Sequence, residues 1–349
     1  MINIKRFGGV VIATIIVIGL AVFTYGSIQS KGQIYLYGEA HGEDIIIEKE
    51  LEIWKSYYQE KNLRHLFIEA PYYTAELLNL WMNEDNNEIL NEIYDDWTGS
   101  LAASSNVKAF FETIKSQYPE TVFHGTDVGH NFETTGYRYL DYLENNSLKD
   151  SDSYLTTLEV IKQGAHYYRT HDHSYRENMM VENFKRELDA IGDVDIMGIY
   201  GAEHISMDFL DDNKRIVSMA YQLQTLYDER IHLEDLTGLL KNAYPYRVNT
   251  MIINGKEYKA SYFGKAYADD NQSYDYIECW RLEEAYEDFE MNKTTENELQ
   301  YKDYPMFIEY GQVYVVDFFE SDGNVKRRYF RSDEKQWSNL SITVEFTLD

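Results

Sequence analysis

Residues 33–42, QIYLYGEAHG, contain the first predicted strand of this sequence. The strand is a short β-type run that ends in a Gly-x-x-His element. Apolar residues at helical spacing follow over residues 47–58, which is typical of a strand followed by a helix. The same alternation then recurs, with further strands predicted at residues 65–69, 121–124 and 194–200. Because strands that alternate with helices form βαβ units, we expect an α/β fold with a mostly parallel sheet flanked by helices.

A period of two replaces this pattern in the last third of the chain. Residues 246–253 and 256–263 alternate in polarity around Asn254-Gly255, a dipeptide typical of a two-residue β-hairpin. Further strands are predicted downstream at residues 305–310, 313–320, 325–331 and 340–348. We therefore expect an α/β domain at residues 27–240 and a small antiparallel β domain at residues 241–349.

The N-terminus carries an apolar run at residues 7–26, preceded by Lys5 and Arg6. About 20 apolar residues are enough to cross a bilayer as one helix. Cations before the run favour a cytoplasmic tail at residues 1–6 and an extracytoplasmic location for the rest. We therefore expect a single-pass protein of the cell membrane, anchored by this transmembrane helix. A cleaved signal peptide is the rival interpretation and leaves the same ectodomain.

Charge and composition argue against several classes of protein. The 349 residues include 60 acidic and 32 basic side chains, a formal net charge of −28. This excess of negative charge repels phosphate backbones, so no nucleic-acid partner is expected. Cys279 is the single cysteine, which leaves no internal disulfide and no CxxC metal site. The chain also lacks Gly-x-Ser-x-Gly and HExxH motifs, and Cys279 lies in the β-rich region, so a standard serine or cysteine hydrolase is not expected.

Ionisable residues follow all four predicted strands of the α/β domain. Ligands of open α/β sheets bind at the carboxyl ends of the strands, so these residues are candidates for one site. The candidates are Glu39, His41, Glu69, His124, Asp127 and His204. Each of them alone could merely satisfy loop backbone groups. Four strand ends together favour a site, because converging ionisable groups are costly to bury unless they are used.

Arg176 lies in the first turn of a helix that Ser174-x-x-Glu177 is predicted to cap. A cation at that position opposes the helix dipole. Arg176 is therefore either a tolerated surface residue or a group that points into the cleft, where it would pair with a carboxylate or a developing oxyanion.

Two histidines and a glutamate allow two ways to activate water. A neutral imidazole oriented by a carboxylate can take a proton from water. Alternatively, His41, Glu69 and His204 bind a divalent ion, such as zinc, manganese or cobalt, that lowers the pKa of water. The residue types suit either chemistry.

Five blocks of this sequence resemble, in order and spacing, a known superfamily. It joins the erythromycin esterases, the ChaN haem-binding lipoproteins and the TraB/Tiki proteins, and the similarity covers about residues 33–210. The blocks are Gly38–Gly42, Phe67–Ala70, His124–Asp127, Arg176–Asn183 and Gly201–His204. The Tyr-Gly-Ala-Glu-His stretch at residues 200–204 departs from the Gly-His-Asn-x-His form associated with true erythromycin esterases, which argues against a macrolide substrate.

The resemblance implies a mixed α/β domain whose cleft hydrolyses a lactone or a peptide bond, or binds haem. Carried over by position, His41 would be the general base or a metal ligand, and Glu39 and Glu69 would orient it or hold the water. His204 would be its partner across the cleft, and Arg176 would steady the oxyanion. Secondary candidates from the same blocks are His124, Asp127 and Asn183.

We therefore expect a membrane-anchored extracytoplasmic hydrolase of an ester, lactone or peptide bond, acting on a small molecule or a peptide. One alternative is a ChaN-type protein that binds haem or another small ligand without catalysis. Another is a surface interaction protein with a vestigial cleft, whose tyrosine-rich C-terminal sheet is the contact face.

Overall fold

A computed structural model describes most of the chain. The described residues are 31–98, 100–207, 209–211, 216–267, 274–300, 303–320, 322–333, 336–337 and 340–348. The transmembrane helix predicted at residues 7–26 lies outside these ranges. Within them, no helix is both long and apolar enough to cross a membrane.

The first sheet consists of five parallel strands. They are β1 (Ile34–Glu39), β2 (His65–Pro71), β3 (Val122–Asp127), β4 (Ile196–Gly201) and β5 (Ile231–Asp235). Their order across the sheet is β3-β2-β4-β1-β5. The predicted parallel α/β sheet is confirmed, and β5 is a strand that the sequence pattern missed. Because all five strands run in one direction, their carboxyl ends share one edge of the sheet.

Helices pack against both faces of this sheet. They are α1 (Asp44–Glu60), α2 (Tyr72–Met82), α3 (Glu88–Asp96), α4 (Ser105–Gln117), α5 (Tyr137–Asn145), α6 (Asp152–Thr170), α7 (His173–Ile191), α8 (Ala202–Ile205) and α9 (Met219–Tyr227). Successive residues of β2 show the two layers, since Phe67 packs in one core with Phe184 while Ile68 packs in the other core with Trp54. Burial on both faces explains why these strands are apolar runs without alternation.

The second sheet consists of seven antiparallel strands. They are β6 (Arg247–Ile253), β7 (Lys256–Tyr267), β8 (Tyr276–Leu282), β9 (Thr294–Leu299), β10 (Val313–Phe319), β11 (Val325–Arg331) and β12 (Thr343–Phe346). The β6–β7 hairpin turns at Asn254 and Gly255, whose φ angles of 50° and 79° are those of a type I′ turn. Shorter elements are the helix Tyr286–Phe289 and the strand pairs Phe209–Asp211 with Ile216–Val217 and Gln336–Trp337 with Leu340–Ser341.

The predicted strand at residues 305–310 was wrong. This segment begins with a bend, continues as irregular chain and ends in a turn. Pro305 has no N–H group to donate to a strand ladder. Met306 and Ile308 are nevertheless buried against the second sheet, which accounts for the apolar pattern of the segment.

The start predicted for the helix that carries Arg176 was also displaced. Helix α7 begins at His173, because the side chain of Asp172 accepts the backbone N–H of Tyr175 at 3.1 Å. Aspartate is a strong N-cap, and here it takes the position that the sequence assigned to Ser174.

Candidate active site

A cleft lies at the edge of the sheet where β1, β2 and β3 end. Its cavity has a volume of about 590 Å³. The ionisable side chains that line the cavity include Glu39, His41, Glu69, Asp127, His130 and Arg176. Its apolar lining includes Ile47, Ile68, Trp97, Val107, Phe110 and Phe111. The cleft therefore combines groups that exchange protons with a surface for an apolar ligand.

His41 follows β1 by two residues and is held by Glu39, the last residue of that strand. Its Nδ1 lies 2.8 Å from Oε1 of Glu39, and its Nε2 lies 3.9 Å from Oε2 of Glu69. The second distance is too long for a direct hydrogen bond and fits a bridging water. Burial favours the neutral ring, but the carboxylates of Glu39 and Glu69 outweigh it and raise the pKa of His41 to about 9.

Glu69, near the end of β2, joins the other groups of the site. Its Oε2 accepts the backbone N–H of Gly201 at 2.6 Å. Its Oε1 lies 2.7 Å from Nη2 of Arg176 and 3.2 Å from Nε2 of His204. Burial alone would raise the pKa of Glu69, but His204, His41 and Arg176 hold it well below its usual range. Glu69 is therefore an ionised carboxylate in a nearly buried position.

His204 and His41 lie beside different oxygens of Glu69. His204 lies beside Oε1, and His41 lies beside Oε2. Its Nδ1 lies 2.6 Å from Oε1 of Glu177, and Oε2 of Glu177 accepts the backbone N–H of Met219 at 2.6 Å. Burial would lower the pKa of His204, but Glu69 and Glu177 together raise it to about 10. The structure thus brings the two histidines of the Gly-x-x-His elements to one carboxylate.

Arg176 points into the cleft, which decides between the two interpretations of this residue. Its Nε lies 3.0 Å from Oδ1 of Asp127, and its Nη2 lies 2.5 Å from Oδ2. The same Nη2 contacts Glu69. Arg176 and His130 hold the pKa of Asp127 well below its usual range despite its burial. Asn183 lies behind this pair and donates to the backbone carbonyl of Asp127 at 3.2 Å.

His130 and Tyr168 also belong to the cleft, although no sequence motif indicated them. Nε2 of His130 lies 2.8 Å from Oδ2 of Asp127, and its Nδ1 lies 2.5 Å from the hydroxyl of Tyr168. The signal for His130 was its position three residues after Asp127, at the end of a strand. Tyr168 lies near the end of α6 and carries no local signal, because only the packing of that helix brings it to the cleft.

Glu50 is a third residue of the cleft that no sequence motif indicated. It lies on α1 and is 2% exposed, on the same buried helix face as Ile47 and Trp54. Burial first, and then the adjacent carboxyl group of Glu39, raise the pKa of Glu50 well above its usual range. The raised pKa favours the protonated form of Glu50 beside Glu39. An acidic residue on an apolar helix face was the available signal.

His124 does not reach the cleft. Its Nδ1 lies 3.2 Å from Oε2 of Glu187 on α7, and its Nε2 lies 3.0 Å from Nδ1 of His65. Its ring also stacks on Phe67. The expectation that His124 contributes to the site is not met, because alternate side chains of a strand point to opposite faces of the sheet.

The predicted metal ligands His41, Glu69 and His204 do not fit a divalent ion. Each oxygen of Glu69 already accepts a hydrogen bond, one from Arg176 and one from Gly201. The permanent charge of the guanidinium opposes a dication beside the same carboxylate. Within the described ranges, no group of three or more His, Cys, Asp or Glu could hold a metal ion.

Comparison with known proteins gives matches among solved structures. No protein-family model and no curated protein matches the chain. The similar structures include an erythromycin esterase variant in its open conformation, which is 13% identical over 62% of this chain and 72% of that chain, with a TM-score of 0.45. ChaN of Campylobacter jejuni, in a structure of its cofacial haem binding, is 12% identical over 59% of this chain and 81% of that chain, with a TM-score of 0.32.

A protein from Bacillus cereus is 15% identical, with a TM-score of 0.44. The match covers 59% of this chain and 66% of that chain, so this chain spans just under two thirds of the length of the Bacillus cereus protein. The similar structures thus include members of the superfamily that the sequence motifs resemble.

Proposed function

We propose that the cleft hydrolyses an ester, lactone or peptide bond with water activated by His41. One observation carries this proposal: Glu39 holds Nδ1 of His41 at 2.8 Å, and Nε2 faces Glu69 across 3.9 Å. An imidazole that a carboxylate orients, with its other nitrogen turned to a cavity, has the geometry of a general base.

In the proposed reaction, a water between His41 and Glu69 attacks the carbonyl carbon of the substrate. One proton of the water passes to Nε2 of neutral His41, and Glu39 stabilises the imidazolium that forms. The second hydrogen of the water is held by the ionised carboxylate of Glu69, which orients the attacking lone pair. The tetrahedral intermediate then collapses: the bond from the carbon to the leaving oxygen or nitrogen breaks, and the leaving atom takes up one proton to give an alcohol or an amine.

His204 and Arg176 act through Glu69 and not on the substrate. Both nitrogens of His204 lie against carboxylates, those of Glu69 and Glu177. Nε and Nη2 of Arg176 contact Asp127 and Glu69. We therefore assign Arg176 a positioning role in place of the oxyanion role that the resemblance implied, since these contacts keep Glu69 charged and oriented.

The lining of the cavity restricts the substrate. Trp97, Val107 and Phe110 supply apolar contact area beside the proton-transferring groups. The formal net charge of −28 disfavours the approach of a polyanion. We infer a neutral or cationic small molecule or peptide with an apolar portion next to the bond that is cleaved.

Membrane anchoring is also part of the proposal. We propose that residues 7–26 form a single-pass helix and that the cleft is extracytoplasmic, because Lys5 and Arg6 precede this apolar run. Fractionation of cells, followed by protease treatment of intact cells, tests this location. Protein found only in the soluble fraction of lysed cells would contradict it.

Replacement of His41 by alanine tests the hydrolytic function. We expect His41→Ala to lower kcat by about 10²- to 10⁴-fold on whichever esters, lactones or peptides the native protein cleaves. Its thermal unfolding should change little, because the imidazole lies at the cavity surface and is 41% exposed. The matched control is His232→Ala, at an exposed position on β5. Full activity of His41→Ala would refute the assignment.

Haem titration tests the alternative that the cleft binds a ligand without catalysis. One of the similar structures is a haem-binding protein, and His41 is a histidine that lines the cavity. A Soret shift that is present in the native protein and absent in His41→Ala, without hydrolysis of any substrate, would favour haem binding. Hydrolysis without a Soret shift supports our proposal.

A further inference from the structure

We propose that Tyr168 donates the proton that the leaving group takes up, as the outer member of an Asp127–His130–Tyr168 relay. This inference rests on the hydrolytic function proposed above. The relay is continuous: Oδ2 of Asp127 lies 2.8 Å from Nε2 of His130, whose Nδ1 lies 2.5 Å from the hydroxyl of Tyr168. Asp127 and His130 are positioning residues, and Tyr168 is the catalytic one.

The hydrogen-bond roles within the relay follow from the charge of Asp127. Arg176 keeps Asp127 ionised, so the carboxylate only accepts, and Nε2 of His130 must carry a hydrogen. When His130 holds one proton, its Nδ1 accepts the phenol O–H of Tyr168. When His130 holds two protons, its Nδ1 donates to the phenol oxygen, and the hydrogen of that phenol is the one that we propose passes to the leaving atom. Both states use the same positions of the heavy atoms.

The relay occupies the same cavity as the proposed base. Tyr168 and His130 line it together with His41. One guanidinium nitrogen, Nη2 of Arg176, contacts Oδ2 of Asp127 at 2.5 Å and Oε1 of Glu69 at 2.7 Å. Arg176 thereby holds two carboxylates in a fixed relative position. One is Asp127, which anchors the proposed acid, and the other is Glu69, which lies beside the proposed base. Tyr168 is 46% exposed and lines the cavity, so it is not enclosed in the core.

The proposed step balances in atoms and charge. The bond between the carbonyl carbon and the leaving oxygen or nitrogen breaks, and its electron pair stays on the leaving atom. That atom takes the phenol proton of Tyr168 while the phenol oxygen takes the Nδ1 proton of His130. His130 ends neutral with its remaining hydrogen on Nε2, against Asp127. Solvent then returns a proton to His130 and accepts one from His41, which restores the starting state.

A pair of esters with the same acyl group separates this role from a structural one. A 4-nitrophenolate leaves without protonation, whereas an ethoxide leaves only with a proton. We expect Tyr168→Phe, which keeps the ring and removes the hydroxyl, to lower kcat on the ethyl ester by about 10²- to 10⁴-fold and to change kcat on the 4-nitrophenyl ester less than about 3-fold. Tyr142→Phe on α5, at an exposed position outside the cavity, is the matched control.

A second variant tests whether His130 and Tyr168 act together. His130→Gln should show the same selective loss, and the double variant should lose no more than either single one, because the residues act as a unit. An equal loss on both esters, or additive losses, would overturn the relay while hydrolysis stands. If the native protein hydrolyses neither these esters nor any lactone or peptide, the hydrolytic function fails, and the role of Tyr168 fails with it.

Discussion

Glu69 and Arg176 lie 107 residues apart in the chain and form an ion pair of 2.7 Å at the carboxyl edge of the parallel sheet. Both side chains are largely buried, 11% and 16% exposed. Burying such a pair costs desolvation energy that the attraction between the charges offsets only when the geometry is good and further hydrogen bonds are made. Here Gly201 and Asp127 supply those bonds. The pair therefore orients the site more than it stabilises the fold.

Removal of the charge of Glu69 should cost both stability and activity. Glu69→Gln leaves Arg176 and His204 with one carboxylate fewer in a buried setting, and breaking a buried ion pair costs about 3–5 kcal/mol. We expect urea unfolding to show a loss of free energy of unfolding in this range. We also expect kcat to fall by at least about 10²-fold, because the attacking water loses its orienting group.

Glu203→Gln is the matched control for this variant, since Glu203 is exposed on α8 next to His204. We expect its free energy of unfolding to stay within about 0.5 kcal/mol of the native value. A Glu69→Gln protein as stable and active as Glu203→Gln would contradict the central position of Glu69.

The pH dependence of activity should report on His41. Its pKa is raised to about 9 and the proposed base is the neutral ring. On the 4-nitrophenyl ester, whose leaving group needs no proton from the relay, kcat/KM should therefore rise with pH and level off above about 9. Glu39 is the largest contribution that raises this pKa. In Glu39→Gln the rise should therefore move to lower pH, towards the ordinary histidine value of about 6.5.

Profiles of kcat/KM from pH 5 to 10 test this shift. Glu52→Gln, an exposed position on α1 with a side chain 71% exposed, is the control and should keep the native profile. If Glu39→Gln titrates at the native pH, a group other than the His41–Glu39 pair controls the rate.

One physical reason explains why several residues of the cleft could be predicted from the sequence. His41, Glu69 and His204 end parallel strands or follow them directly, and parallel strands deliver their carboxyl ends to one edge whatever the separation along the chain. His124 lies on such a strand as well, yet its side chain points to the opposite face. The period of two along a strand would have separated it from Asp127, which lies an odd number of residues away.

Other parts of the site depend on tertiary packing, which local patterns do not encode. Tyr168 lies near the end of a long helix, and its place beside His130 depends on how α6 packs against the segment that follows β3, where Gly129 lies close to Val160 and Gly164. Glu50 is one acid on an apolar helix face, and its partner Glu39 becomes its neighbour only when α1 packs on the sheet. The positioning role that we propose for Arg176 could likewise not be predicted, because it follows from the two carboxylates that surround this residue in the folded chain.

The stability of the protein should fall at high pH because of His204. Its folded-state pKa of about 10 lies above the ordinary value of about 6.5, so the stabilisation is fully present below pH 6.5 and is lost as the pH rises through 10. We expect the free energy of unfolding of the native protein to fall more between pH 6.5 and 10.5 than that of His204→Gln. Urea titrations of both proteins at several pH values measure this difference. Parallel pH dependences would show that His204 is not charged in the folded state.

Gly201→Ala should impair the chemistry without removing any functional group. A Cβ at residue 201 would lie 3.1 Å from Nε2 of His41 and 3.3 Å from Oε2 of Glu69, where the proposed water is activated. We expect the methyl group to displace the imidazole and lower kcat/KM by about 10- to 100-fold, since small misplacements at a reacting centre are costly. Gly238→Ala is the control, because a Cβ there meets no atom within 4 Å. Equal kcat/KM values for the two variants, at equal urea midpoints, would show that the space between His41 and Glu69 takes no part in the reaction.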